Sequence, residues 1–504
     1  MPPKQKRPRT PKKPDPSPGD QIKVNNRGKR SAIAAGRNAI AAVFNINIRD
    51  LKWQPVVIVL TIVGTLLGVI LWFVIPKTSS VMTGQFNVAV AGFLVQDKDG
   101  KTITGDDGIL LAAYVAKQIE TQFNDIELNK TIPYEIWGPE KVRSVKGKSI
   151  DERRIVAAEL AEKIRAHVLV YGVIIADGNQ SKFMPEFYIN HKGFWQATEV
   201  TGSHQIGSQL RVALPFSESI QSIENPALAG RVSALNLMTI GLAYYSVDDY
   251  QNAARYLEQA AAEPRWLETS GKEVAYLLVG NAYVGWASKD NDVQYLPRAE
   301  QNYAEALRIN PSYGRGMVGL ANIVYLESLG PLQEPKIDPV KLDKATFLTA
   351  QALLLEDQPE SANIPAKAHF NLGQISMARY QAKVPGEDWL EKAKQEFTFV
   401  TQEYESGDTT LETSAAHAYL RLGRIAYLQN DSDTAIVLVK KSISLAPPFY
   451  KAAYSTTLGD IYKNLGQKDL ASQAYEDAIA IAESMGDAKS AQEYQQRLHA
   501  LNQP

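Results

Sequence analysis

Four aspartates, Asp97, Asp99, Asp106 and Asp107, crowd one short stretch of this 504-residue chain and could suggest calcium. An EF-hand loop needs acids at alternate positions before its glycine and a glutamate at the twelfth. QDKDGKTITGDDG has neither, so the spacing predicts a turn. Gly314, Gly316 and Gly319 (GRGMVG) match the dinucleotide fingerprint, which works only where a strand leads into a helix. Here Pro311 marks a helix end just upstream and no strand pattern precedes it, which leaves a helix with packing glycines. His167, His191, His204, His369, His417 and His499 show no H-E-x-x-H or other metal spacing, and cysteine is absent. With no P-loop and no G-x-S-x-G elbow, the expectation is no enzyme, no metal and no cofactor.

Those residues belong to an ordinary globular composition, 45% apolar and 22% charged, which excludes a wholly disordered, collagen-like or polytopic membrane chain. The length predicts two to four units at roughly 100–200 residues each. The net charge of −1 hides a polarity. Residues 1–53 hold thirteen Lys or Arg against three acids, a net of +10, so residues 54–504 carry −11.

The Pro- and Lys/Arg-rich start predicts a disordered tail over 1–53. Ile33, Arg37, Ile40, Val43 and Phe44 recur at loose helical spacing, which fits either a helix on an anionic membrane surface or a linker. Val56–Ile75 is twenty residues without a charge, about 30 Å as a helix, and predicts a transmembrane helix within 54–76. Thirteen basic residues precede it and Lys77 alone follows in the next twenty, so the N-terminus is expected in the cytoplasm. The bulk of the chain is then extracytoplasmic. Gly64 and Gly68 form a G-x-x-x-G pair, open to two readings: a homodimer seam between membrane helices, or an accident of glycine-rich composition. Tethered beside a bilayer, the tail suits lipid rather than nucleic acid, and no nucleic-acid partner is expected.

FNVAVAGFL reads as a buried strand before a helix with Leu111, Val115, Ile119 and Phe123 on one face. PYEIW then precedes a second helix carrying Val156, Leu160 and Ile164, with Ser149 and Glu152 as its capping box. HVLVYGVIIA and FMPEFYIN read as a hairpin, giving a βαβαββ order and a mixed sheet over 85–215. FNVAVAGF, IWGPEKV and AEKIRAHVLVYGVI resemble the amino-terminal α/β domain of TolB-like periplasmic proteins and domains that precede repeat arrays in bacterial envelope proteins.

From 230 to 485 a motif recurs: an aliphatic residue, Gly or Ala, an aromatic three residues on, then Ala-x3-aromatic-x2-Ala. Its copies centre on Gly241, Gly280, Ala321, Gly373, Gly423 and Gly459, with second-helix partners such as Leu257, Tyr303, Phe397 and Tyr475. The spacings of 39, 41, 52, 50 and 36 imply insertions in the middle copies, and 486–504 reads as a capping helix. These residues resemble the tetratricopeptide (TPR) signature. The fold class is therefore an α/β domain followed by an all-α TPR solenoid, behind a single N-terminal transmembrane helix. The resemblance implies a concave groove lined by each repeat's first helix. In repeats three to five that face carries Arg315, Asn322, Lys367, Asn371, Arg421 and Arg424, partly like the family's clamp for a peptide carboxylate. Val318 and His417 stand where that clamp has lysines, and an ordinary solvated helix face is the plainer reading. The function expected is a membrane-anchored scaffold for a protein or peptide. The alternative is an envelope sensor with a ligand site in the α/β domain.

Overall fold

The structure, a computed structural model, describes residues 81–503 apart from 178–180, 195–197, 217–224, 268, 291, 331–335 and 356–362. The tail, the 54–76 span and the Gly64/Gly68 pair lie outside the described residues. Among the described residues no helix is long and apolar enough to cross a membrane. Ser79–Pro504 forms one contact-dense unit.

Its first part is a mixed sheet ordered β3-β1-β4-β5-β6. β1 (Phe86–Val90) pairs in parallel with β3 (Tyr134–Trp137) and with β4 (Val168–Ile175), and β4 turns back into antiparallel β5 (Ser181–Ile189). The apolar run after Phe86 is not one strand: it breaks, and β2 (Leu94–Gln96) rejoins β4 further along. The break lets α1 (Asp107–Asp125) approach, for a Cβ on Gly108 would lie 2.0 Å from the Phe93 carbonyl oxygen. Two short strands missed in the sequence, β6 (Gly202–Gln205) and β7 (Leu210–Val212), both pair with β5.

Alternation along β4 builds a core on each face of the sheet. Val168, Val170 and Ile174 join Leu111, Val115, Ile119 and Phe123 of α1 on one side. Leu169 and Tyr171 meet Ala157, Ala161 and Ile164 of α2 (Ile150–Ile164) on the other. Ser149 caps α2 by accepting from the Glu152 backbone N–H at 3.1 Å, and the Glu152 carboxylate reaches back to the N–H of Lys148 rather than of Ser149. Val156 and Leu160 are only partly buried; Arg153 takes the inward place, donating to Glu186 of β5 at 2.5 Å in a fully buried ion pair. Asp97 Oδ1 accepts from the N–H groups of Asp99 and Lys101, so the acidic stretch begins with an Asx turn.

Six antiparallel helix pairs follow: α3/α4 (Pro226–Tyr245, Tyr250–Ala261), α5/α6 (Lys272–Asp290, Leu296–Ile309), α7/α8 (Gly314–Ser328, Pro339–Leu353). Then come α9/α10 (Ile364–Gln381, Trp389–Glu405), α11/α12 (Glu412–Leu428, Ser432–Leu445), α13/α14 (Pro448–Asn464, Lys468–Ser484) and a last helix, α15 (Ala488–Asn502). Close approach explains the repeating glycines. Cβ atoms on Gly280 and Gly319 would fall 2.8 Å and 2.5 Å from the Tyr303 ring, which thus wedges its own repeat against the next. Gly319 is therefore a packing residue inside a helical pair, with no strand before it.

α3 departs from the pattern. Surface helices bury one stripe, yet fifteen of its residues, from Leu228 to Tyr245, are buried. One side packs on α4 and another on α1 and β7 of the sheet domain. A single apolar cluster consequently runs from Phe86 in β1 through α3 to Ile323 in α7.

Candidate functional site

The first helix of each pair faces inward, and the inner face is filled differently along the array. Over α3, α5 and α7 part of it is covered by the sheet domain's own chain between β5 and β6. Phe194 and Val200 of that segment are each 1% exposed, as is Ile206 just after β6. Phe194 meets Tyr245 with ring centroids 5.9 Å apart, and the 3-10 turn Thr198–Val200 packs on α5 and α7.

Arg315 of α7 is used up here. It is 2% exposed; its guanidinium donates to the Ser203 carbonyl at 3.1 Å and reaches the His204 ring, 2.6 Å from Nε2 and 3.1 Å from Nδ1. The Val200 carbonyl also lies 2.7 Å from Nε2. Burial and the Arg315 charge hold His204 well below the ordinary histidine range. The reading of Arg315 as a groove residue is corrected accordingly: it faces inward but is occupied by the chain's own β6 strand.

Beyond this plug the inner face opens into a cavity of about 930 Å³. Asn322, Lys367, Asn371 and Arg421 all line it, as do Val318 and His417. The array curls far enough that Asp248 and Tyr250 of the first pair, Tyr450 of the sixth and Asp487 beside α15 line the same space. Lys367 is not a solvated surface lysine. It is 7% exposed, its Nζ has no hydrogen-bond partner among the described residues, and the Glu199 carboxylate of the plug stands 4.0 Å away. Burial pushes its amine down to about 7 against the pull of Glu199. Asn371 donates weakly to the Val318 carbonyl at 3.4 Å. His417 is bonded to the Tyr454 hydroxyl, and burial together with Arg421 lowers it to about 4.

Arg421 also lines a neighbouring cavity of about 350 Å³ with Gln374, Asp460 and Arg424, whose guanidinium donates to Thr457 Oγ1 at 3.2 Å. Four of the six residues expected in the groove thus share one cavity, Arg424 lies in the adjoining one, and Arg315 is withdrawn. Glu199, Asp248, Tyr250 and Asn281 were missed. Asn281 directly follows Gly280, so the rule that found Asn322 and Arg421 could have found it in the second repeat. Glu199 lies outside the repeats and carries no sequence signal. Among the described residues no group of three or more His, Asp or Glu side chains could hold a metal ion.

Residues 365–503 match the family described as Tetratricopeptide repeat-like domain. No curated protein matches the chain. Among solved structures, the APC/C hetero-tetramer Cut9-Hcn1 is similar at 12% identity over 56% of this chain and 44% of that one, with a TM-score of 0.39. The chain therefore spans less than half the length of that relative. Pseudomonas aeruginosa pilF is similar at 19% identity over 46% of this chain and 91% of that one, with a TM-score of 0.29. YrrB, described as a TPR protein with an unusual peptide-binding site, is similar at 16% identity over 45% of this chain and 90% of that one, with a TM-score of 0.25. The matched residues begin in α9 and run through α15, and TPR-fold proteins are generally scaffolds for protein–protein interaction.

Proposed function

We propose that the chain is a single-pass, membrane-anchored scaffold whose inner groove over α7 to α13 holds a protein or peptide outside the cytoplasm of a bacterial envelope. The observation that carries the groove is the convergence of Asn322, Asn371, Arg421 and Arg424 on two adjoining cavities, with Arg421 common to both. Cationic and amide donors on successive helices suit an acidic peptide end. The anchor is Val56–Ile75 in the bilayer, oriented by its basic flank, with Gly64 and Gly68 as a homodimer seam. The sheet domain, TolB-like in element order, stands between anchor and array in sequence.

Capture of an acidic C-terminal peptide by the full chain tests the groove. Arg421→Ala with Arg424→Ala should weaken it about tenfold or more while the melting temperature stays nearly unchanged, since partly exposed charges contribute little to folding. Undiminished capture removes the groove from this reading. A reporter fused after Pro504 should report an extracytoplasmic position, and cytoplasmic activity would remove the topology.

A further inference from the structure

The larger cavity contains two opposite charges that do not satisfy each other. Lys367 Nζ is buried without a hydrogen bond among the described residues, and Glu199 Oε2 at 4.0 Å is beyond hydrogen-bond reach. They come from different parts of the fold, Glu199 from the plug and Lys367 from the first turn of α9. A buried ammonium with no acceptor is costly, so the pair is incomplete as it stands. An anion alone would complete Lys367 but face the Glu199 carboxylate; a cation alone would meet the reverse difficulty. A molecule carrying both charges on neighbouring atoms completes both.

The rest of the wall is balanced in charge, Asp248, Asp487 and Glu493 against Lys289, Arg421 and Lys489. Phe370, Tyr250 and Tyr450 add aromatic surface. The volume lies in the range of small-molecule sites, roughly 300–1,000 Å³. The plug covers part of the inner face over α3, α5 and α7, beside Glu199 and Lys367, so that end of the cavity receives a ligand's head rather than a chain passing through.

We propose that this cavity binds a free α-amino acid with an apolar or aromatic side chain, its carboxylate accepting from Lys367 and its ammonium donating to Glu199. The amino acid's side chain lies toward Phe370 and the tyrosines. In a peptide the terminal ammonium and terminal carboxylate are far apart, so only the free amino acid brings both to this pair. The site goes beyond the scaffold reading and does not depend on it.

Calorimetric titration of L-phenylalanine and L-leucine into the full chain tests the assignment, beside N-acetyl-L-phenylalanine and L-phenylalaninamide, which each lack one charge. The free amino acids should bind, and each blocked form should bind about tenfold or more weakly, the loss expected for a charge-assisted hydrogen bond. Lys367→Met should abolish binding while circular dichroism and the melting curve report a folded chain; Glu199→Gln should bring L-phenylalanine down to the affinity of its N-acetyl form. Absence of binding by every common α-amino acid, or equal affinity for the acetylated form, overturns the proposal. An acidic peptide titrated in parallel separates the two readings. Its binding without that of amino acids leaves the scaffold and removes this site, and the converse leaves this site and removes the acidic-peptide groove.

Discussion

The two halves of the array use the same repeating unit to opposite ends. In α3 to α7 part of the inner face is dry: Phe194 and Val200 press into it, and one apolar cluster joins sheet and helices. From α7 to α15 the apolar residues fall into five smaller clusters, and the inner face is left to Asn371, Arg421 and Arg424 around open space. A helical pair fixes only how neighbours stack. What lies on its inner face is set by what else the chain brings there.

The largest effect should come from breaking the dry half at its centre. Phe194→Ala should cost about 3–5 kcal/mol, as large-to-small changes in a packed core do, and should lower hydrogen-exchange protection in the sheet and in α3 together. Phe397→Ala in α10, equally buried, should lower protection only around α9 to α12. If both variants loosen the whole chain alike, the division into a fused half and a stepwise half fails.

A smaller effect tests the seam between the halves. Arg315→Ala leaves the buried Ser203 carbonyl without its donor and takes the guanidinium from the His204 ring, at about 1–3 kcal/mol. Denaturant unfolding should register that loss, whereas Arg421→Ala on the open side should change it little. Equal losses would mean that Arg421 is as structural as Arg315.

A third effect concerns pH. Lys367 is held near 7 when folded, by burial, by the Arg315 charge and against Glu199, and rises to the ordinary lysine value of 10.5 on unfolding. Between those values the unfolded chain binds the extra proton, so stability should rise with pH from about 7 toward 10.5. Below that window the cost of the buried charge is present in full. Lys367→Met should remove this rise and gain a few degrees of melting temperature at neutral pH. A wild-type slope retained in the variant would assign the titration to another group.

The repeats were legible in the sequence because their signal is local: Gly280 and Tyr303, or Gly459 and Tyr475, meet within one helical pair, and only a small residue fits against the ring. The groove register was legible for the same reason, and it found Asn322, Asn371 and Arg421. Arg315 was misread because its partners, His204 and Ser203, lie more than a hundred residues away and in no repeat. Likewise FNVAVAGFL is apolar throughout, and its break at the Gly108 contact arises only once α1 is docked.

The burial of α3 on several sides bears on how such a chain can be inherited. A module that can be copied and rejoined elsewhere in a genome needs a boundary where its surface turns polar. The step from sheet to array has none, because the helix that begins the array is also an interior wall of the sheet domain. Recombination that parted them would expose Leu228, Val232, Leu235 and Met238 in the product that kept α3, and the sheet-domain surface that α3 covers in the other. The later helical pairs, each resting mainly on its neighbours, are free to be gained or lost; the sheet and the first pair descend together.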